Sequence, residues 1–354
     1  MKKIFLYFFL FASLFGFGQD PSFSQFYSNP LYLNPAFAGS NHDARIGGNY
    51  RNQWPRIPGK WVTYNVFGDI YAPPLMGGLG FIAMQDVSGE GLLSTSSVGI
   101  VQSFERPIPK IVRIRAGYNV SLVSKRIDWS KLTFSDQLDP TKGSVYQTAA
   151  IPTNGRTFVD FQAGFILDFP NFRIGHSVFS NVFGMSFNHL TQPNQSLTGG
   201  VHAPLPLKTT LHYNMEISVG QENPNEKSFY ISPNFIYEKQ NEYRTFNFGV
   251  YVTKDPLIAG MFFRMKKATS FKDNDALILY IGFKSDLTKH TTMRLGYSYD
   301  LTISGLAPNT MGAHEISLVF EWKNTNLRGK KSSRSKNAKR IDDCMDFGFK
   351  SLVF

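Results

Sequence analysis

The side chains most able to bind a transition metal or to act as a nucleophile are few and scattered in this sequence. Seven histidines and a single cysteine, Cys344, occur among the 354 residues. No two histidines have the H-x-x-x-H or H-E-x-x-H spacing that places two imidazoles on one helix face for zinc. The G-x-S-x-G turn that presents a catalytic serine is also missing. We therefore predict that the protein is not an enzyme and that it uses no cofactor or metal.

One histidine lies next to a carboxylate, at His314-Glu315, where a segment with strand periodicity begins. A hydrogen-bonded polar pair at the rim of a sheet explains such a dipeptide more simply than catalysis does. We adopt that interpretation. The elements that position these polar groups follow from the periodicity of the sequence.

Alternation of apolar and polar residues is the dominant pattern of the chain. Between positions 210 and 219, Leu211, Tyr213 and Met215 alternate with Thr210 and Asn214, which is the period of two that places one set on each face of a strand. Fourteen segments have this pattern: 44–53, 62–72, 77–86, 92–104, 111–125, 156–168, 180–190, 208–219, 228–238, 243–253, 257–265, 277–286, 291–299 and 313–322.

The even number of segments and the lengths of their connections favour a membrane barrel. Alternate connections are all short, for example at Pro73-Pro74 and Pro170-Asn171, while several of the others are long: 126–155, 191–207 and 300–312. Outer-membrane barrels have this asymmetry, whereas a soluble β-sandwich, the alternative, has no reason for it. We predict an all-β fold, a transmembrane antiparallel β-barrel of about 14 strands over residues 44–323, in contact with outer-membrane lipid.

The two ends of the chain differ from this body. Residues 1–18 combine two lysines, an apolar run and small residues, which indicates a signal peptide. Residues 324–354 carry +5 of the net charge of +11 and residues 1–18 carry +2, which leaves +4 for residues 19–323. Such a balanced body does not indicate nucleic-acid binding. We predict a basic periplasmic tail over 324–354, either solvated or in contact with an acidic partner.

A stiff aromatic segment over residues 19–43 precedes the barrel. It contains Asn-Pro twice, at Asn29-Pro30 and Asn34-Pro35, and proline cannot donate to a sheet ladder. The segment is also too polar for lipid, so we expect it at the periplasmic rim or inside the barrel as a plug. Eight strand glycines are predicted to face the lumen, where they either admit the plug or relieve strand curvature: Gly47, Gly80, Gly117, Gly164, Gly184, Gly249, Gly282 and Gly296.

Several stretches resemble the PorP/SprF family of the Bacteroidetes type IX secretion and gliding machinery. The opening "FSQFYSNPLYLNPAFAGS" is the most specific of them, and the others are "YRNQW", "GGLGF", "NHLTQPNQS", "LGYSYDLTISGL" and "GAHEISL". In the opening, the motif residues are Gln25, Asn29, Pro30, Asn34, Pro35 and Gly39. The resemblance spans about residues 20–322. The tail departs from the family pattern, because Cys344 is followed by Met345 rather than proline.

The resemblance implies a location in the cell outer membrane and a role in secretion and surface attachment of a partner protein. The partner would be adhesin-like, with a C-terminal sorting domain of type B, and a periplasmic component of the secretion machinery or cell wall would be a second partner. From the residues themselves, an outer-membrane diffusion or uptake channel is the alternative.

The long connection over 126–155 offers the surface that such a partner needs. It places Trp129, Phe134 and Tyr146 among charged residues, and aromatic anchors within a polar rim are typical of protein-binding patches. We predict that these three side chains bind the partner, although the same residues could close over the barrel mouth as a lid.

Overall fold

The computed structural model describes residues 20–90, 93–108, 111–139, 141, 143–144, 146, 155–197, 202–219, 229–266, 274–303 and 310–323. Within these ranges, fourteen antiparallel strands close into one barrel, in which the first strand pairs with the last. This confirms the predicted fold. None of the described helices has the length and apolar character needed to cross a membrane. The signal peptide 1–18 and the tail 324–354, with Cys344, lie outside the described residues.

The barrel strands follow the predicted segments closely. They are β1 (Ala44–Gln53), β2 (Lys60–Ala72), β3 (Gly77–Gly89), β4 (Leu93–Ile108), β5 (Val112–Arg126), β8 (Arg156–Ile174), β9 (Ser177–Asn188), β10 (Lys208–Val219), β11 (Phe229–Gln240), β12 (Tyr243–Lys254), β13 (Leu257–Met265), β14 (Asn274–Asp286), β15 (Thr291–Thr302) and β16 (Ala313–Trp322). Two short strands, β6 (Leu138–Asp139) and β7 (Gly143–Ser144), form a separate ladder within the connection between β5 and β8.

The barrel is polar inside and apolar outside. On β10, Thr210, His212 and Asn214 are buried and face the lumen, while the apolar residues between them face outward. On β4, Val98 and Ile100 are 63% and 69% exposed. Large aliphatic side chains with this exposure would be costly in water, so the outward surface fits hydrocarbon.

The connections at the two ends of the barrel differ in length. We call the end with the connections 127–155 and 189–207 the outer end, and the opposite end, with turns such as 73–76 and 255–256, the inner end. In outer-membrane barrels the long connections face the cell exterior.

The largest difference from the predicted strand boundaries is at the end of β8. The motif Pro170-Asn171 was predicted to turn the chain, but β8 continues to Ile174 and the turn follows at Gly175. The last residue of β8 that pairs with β5 is Asp168, and the register against β9 shifts between Phe169 and Phe172. Pro170 therefore lies at a bulge, past the last pair with β5, where a missing N–H is tolerated.

Candidate functional site

Residues 20–40, which we call the lumen segment, run through the inside of the barrel from its outer end to its inner end. At the outer end, the Asp20 N–H donates to Gln240 Oε1 at 3.1 Å, and Gln240 is the last residue of β11. At the inner end, the Gly39 N–H donates to Asp69 Oδ2 at 2.7 Å. Almost every residue of the segment is buried. The chain thus crosses the lumen before it enters β1.

The two Asn-Pro pairs each begin a short helical turn. Pro30 and Pro35 occupy the first positions of the turns Pro30–Leu33 and Pro35–Phe37, where proline costs no hydrogen bond. Asn34 caps the second turn by accepting from the Ala36 N–H at 3.0 Å. These turns satisfy part of the segment's backbone locally, so that it needs no strand partner.

The polar motif residues of the segment reach opposite walls of the barrel. Gln25 Nε2 donates to the Glu315 backbone oxygen at 2.8 Å. Asn29 Oδ1 accepts from Asn65 Nδ2 at 2.9 Å. Asn34 Nδ2 lies 3.1 Å from two backbone oxygens, those of Phe165 and Met185, and 3.2 Å from His212 Nε2. These bonds fix the segment to strands on several sides of the lumen.

A buried cluster of ions holds Ser24 near the outer end. Asp300 Oδ2 accepts from Ser24 Oγ at 2.6 Å, from Arg51 at 2.8 Å and from Arg264 at 3.0 Å. Glu315 Oε2 accepts from the Ser24 N–H at 2.7 Å and from Arg51 at 3.1 Å. Two guanidinium groups and two carboxylates therefore balance in charge around one serine of the lumen segment.

A second cluster holds the other end of the segment. Arg45 makes two hydrogen bonds to Asp69, at 2.9 and 3.0 Å, and Asp69 in turn accepts from the Gly39 N–H. Nearby, Arg115 pairs with Glu105 at 2.9 Å and reaches the Ser40 backbone oxygen at 3.4 Å. Bidentate arginine–carboxylate pairs define geometry as well as charge, so the exit of the segment into β1 is closely positioned.

A third contact lies at the beginning of the segment. His189, just past the end of β9, has Nε2 at 2.7 Å from Asp20 Oδ2 and Nδ1 at 2.8 Å from Asp160 Oδ2. Burial alone would lower the pKa of His189, but Asp20 and Asp160 outweigh it and raise the pKa to about 9. Burial alone would raise the pKa of Asp20, but His189 and Lys208 lower it to about 2. The imidazole is thus a cation between two carboxylates at neutral pH.

The predicted lumen glycines fall into two groups, one of which makes room for the lumen segment. A Cβ on Gly117 would lie 2.6 Å from the Ala36 backbone nitrogen, so a side chain there would displace the lumen segment. Four glycines lie against the lumen segment in this way: Gly80, Gly117, Gly164 and Gly296. The other four make room for side chains of the wall itself: Gly47, Gly184, Gly249 and Gly282.

The long outer connection between β5 and β8 has local structure in its described part. Trp129 and Phe134 stack with ring centroids 6.1 Å apart, each beside a short 3-10 turn. The Tyr146 N–H donates to the Gln137 backbone oxygen at 3.2 Å, and the Tyr146 side chain is 57% exposed. The three predicted partner-binding residues thus lie on one loop, but the stacked pair is only partly exposed.

The ion cluster at Ser24 was missed by the sequence analysis, although its signal was present. Arg51, Asp300 and Glu315 belong to the stretches "YRNQW", "LGYSYDLTISGL" and "GAHEISL", and a search for charges at lumen-facing positions would have found them. His314 and Glu315 are both hydrogen-bonded, His314 to the Tyr297 hydroxyl and Glu315 to Arg51 and the Ser24 N–H, but they do not bond to each other. Adjacent strand residues face opposite sides, so Glu315 is fully buried in the lumen while His314 lies against Tyr299, with ring centroids 4.9 Å apart.

The described ranges contain no group of three or more His, Cys, Asp or Glu side chains placed to hold a metal ion. The polar groups of the lumen instead pair with one another and with the lumen segment. Such an arrangement can anchor a chain inside a barrel and present loops at its outer end.

Comparison with known proteins gives one family match. The model of the family described as type IX secretion system membrane protein PorP/SprF matches residues 15–320. Among curated proteins, none matches this chain.

Solved structures resemble the chain in fold alone. A Pseudomonas aeruginosa FadL homologue is 12% identical, with 82% of this chain and 92% of that one covered and a TM-score of 0.39. A deltaS2S3 mutant of the TodX monoaromatic hydrocarbon channel is 10% identical, with 82% and 93% covered and a TM-score of 0.45. Outer membrane phospholipase A from Escherichia coli is 11% identical, with 66% and 85% covered and a TM-score of 0.29.

Proposed function

Because the chain belongs to the PorP/SprF family of type IX secretion membrane proteins and is an outer-membrane barrel, we propose that it binds an exported partner protein at its outer end and thereby supports the secretion and surface attachment of that partner. The partner is an adhesin-like protein with a C-terminal sorting domain, as the family resemblance implies. The inner end and the basic tail are available for a periplasmic component of the machinery.

The observation that carries this proposal is the occupied lumen. Ser24 is held by four charged side chains near the outer end, and Gly39 is held by Asp69 near the inner end. A segment fixed at both ends and buried between them leaves little room for free diffusion. This counts against the alternative function of a diffusion or uptake channel, and it leaves the outer loops as the main surface for contact with a partner.

The loop between β5 and β8 is the best candidate for that contact. Loops of about thirty residues are usually functional or disordered, and the described part of this one has turns, a short ladder and a stacked aromatic pair. Trp129 and Phe134 support each other, and Tyr146 extends toward solvent. Aromatic side chains on an ordered loop bind at low entropic cost, which makes them suitable anchors.

Alanine substitution of Trp129, Phe134 and Tyr146 tests this contact. We expect the triple variant to keep the heat-modifiable mobility of a folded barrel on gels but to release the surface partner into the medium. A matched control replaces Lys131 and Thr133, which are exposed on the same loop, and should retain the partner. Wild-type retention by the triple variant would remove this loop from the binding site.

Deletion of Ser22–Gly39 tests the role of the lumen segment. The strands supply their own hydrogen bonds, so the barrel should still insert, but display of the partner should be lost. Purified wild-type protein should give no steady conductance in planar bilayers, whereas the deletion variant should conduct. A steadily conducting wild-type barrel would support the channel function instead.

A further inference from the structure

A cavity of about 260 Å³ lies between the lumen segment and the inner wall of β3, β4, β5 and β8, in the outer half of the barrel. The lumen segment contributes Asp20, Pro21 and Tyr32, and the connection between β9 and β10 contributes Gln195 and Leu205. Ser24, Gly39 and the side chains that hold them do not line this cavity. The cavity is smaller than the roughly 300–1,000 Å³ typical of sites for drug-sized ligands, so its occupant must be small.

The strand register defines the wall of the cavity as a series of rows. At the outer edge of the cavity, Ser88 on β3 is opposite Leu93 on β4. In the next row inward, Asp86 on β3 is opposite Thr95 on β4, which is opposite Lys125 on β5. All three face the cavity. Two strand spacings separate Asp86 from Lys125, so their backbones are roughly 10 Å apart, with only the small threonine between them.

In the described part of the chain, the two charged groups of this row are hydrogen-bonded but not ion-paired. Asp86 accepts from the Thr63 hydroxyl at 2.7 Å, and Lys125 donates to Gln195 Oε1 at 2.7 Å. Within the described residues, neither has an oppositely charged atom within 4.0 Å. Both side chains are partly withdrawn from water, which makes an unpaired charge costly.

The next row inward is apolar or small, with Met84, Ser97 and Val123 in register, and Phe158 follows on β8. The carboxylate of Asp160, one row further in, already pairs with His189. A ligand therefore meets the carboxylate of Asp86 and the ammonium of Lys125 in the outer part of the cavity, with Thr95 between them and apolar side chains in the row below.

We infer that this cavity is a binding site for a short zwitterionic peptide of two or three residues, whose amino group pairs with Asp86 and whose carboxylate pairs with Lys125. An extended chain of that length spans roughly 7–11 Å, which matches the roughly 10 Å between the backbones that carry the two charged side chains. Apolar side chains of the peptide would pack against Val123 and Phe158. The site does not include the aromatic residues of the outer loop, so its test is independent of the proposed partner contact.

Isothermal titration calorimetry of the detergent-solubilised full-length protein with alanyl-leucine tests the inference. We expect saturable binding, and at least about tenfold weaker binding when the peptide is N-acetylated or its carboxylate is amidated, since a charged hydrogen bond contributes this much. These modified ligands need no protein variant, so a folding defect cannot confuse the result.

Two variants assign the ends of the ligand. Asp86→Asn should weaken binding of the free peptide and make it insensitive to N-acetylation, and Lys125→Met should make it insensitive to amidation. Glu242→Gln, an exposed carboxylate in the turn between β11 and β12, is the matched control and should bind as the wild type does. Absence of saturable binding, equal binding of the blocked peptides, or equal or tighter binding of phosphoethanolamine would each overturn the inference.

Discussion

Replacement of Asp300 by asparagine should release the lumen segment from the outer half of the barrel. One oxygen, Asp300 Oδ2, accepts from Ser24 Oγ, Arg51 Nη2 and Arg264 Nη1 at 2.6, 2.8 and 3.0 Å. Asparagine keeps the size of the side chain and an acceptor oxygen but removes the negative charge. Arg51 then keeps Glu315 as a carboxylate partner, whereas Arg264 keeps only its neutral partners, Asn247 and Ser24.

The size of the effect follows from burial. The side chains of Asp300, Arg51 and Arg264 are 4%, 3% and 6% exposed. Removal of one partner from a buried ion pair costs about 3–5 kcal/mol. Since about 1.36 kcal/mol corresponds to a factor of ten, the ratio of seated to released lumen segment should fall at least about a hundredfold.

Single-channel recording in planar bilayers measures this release, because a segment that leaves the lumen opens a path for ions. We expect closed wild-type barrels and frequent openings for Asp300→Asn. Asp286→Asn is the control, since its pair with Lys323 is 3.3 Å long and roughly half exposed, and such pairs contribute at most about 1 kcal/mol. The double variant Asp300→Asn/Arg264→Met restores charge balance and should open less often than Asp300→Asn. If Asp300→Asn opens no more often than the wild type and unfolds at the same temperature, the reasoning about the cluster is refuted.

Three further predictions concern the two faces of β10, the contact between His189 and Asp20, and the close approach of Gly117 to the lumen segment. Met215→Arg places a charge on the lipid-facing side of β10 and should cost roughly 2–4 kcal/mol, whereas Asn214→Arg on the lumen side should cost much less; equal folding and insertion of the two would contradict the register. The raised pKa of His189 contributes stability that is fully present below about 6.5 and is lost as the pH rises through about 9. The lowered pKa of Asp20 contributes stability that is present above 3.8 and is lost as the pH falls through about 2. The midpoint of thermal unfolding should therefore fall as the pH rises from about 6.5 through about 9 in the wild type and fall less in His189→Gln, and identical profiles over this range would argue against the contact. Gly117→Val should expel the lumen segment and produce conductance, because its Cβ would lie 2.6 Å from the Ala36 backbone nitrogen; Gly48→Val, whose Cβ would have no neighbour closer than 3.4 Å, is the control and should stay closed.

The strands, and which of their side chains point to lipid or to the lumen, could be predicted from the sequence, because each barrel strand has one face in lipid and one in a polar lumen. That difference produces a period of two along the chain, as in Leu211, Tyr213 and Met215 on β10. The family could also be recognised, since Gln25, Asn34 and Gly39 lie in a contiguous motif. Pro170 was misjudged because its tolerance depends on whether β5 reaches that far, which is a property of the pairing.

The contacts of the lumen segment were decided by the tertiary structure. Ser24 meets Asp300 and Glu315 across 276 and 291 residues of chain, and no local pattern encodes a contact over that separation. The same holds for the row of Asp86, Thr95 and Lys125, which exists only because three strands pair in one register. Which residues face the lumen follows from the alternation alone, since alternation is a local property. Which of them meet one another depends on barrel closure, strand stagger and the path of residues 20–40, because these bring together side chains that are distant along the chain.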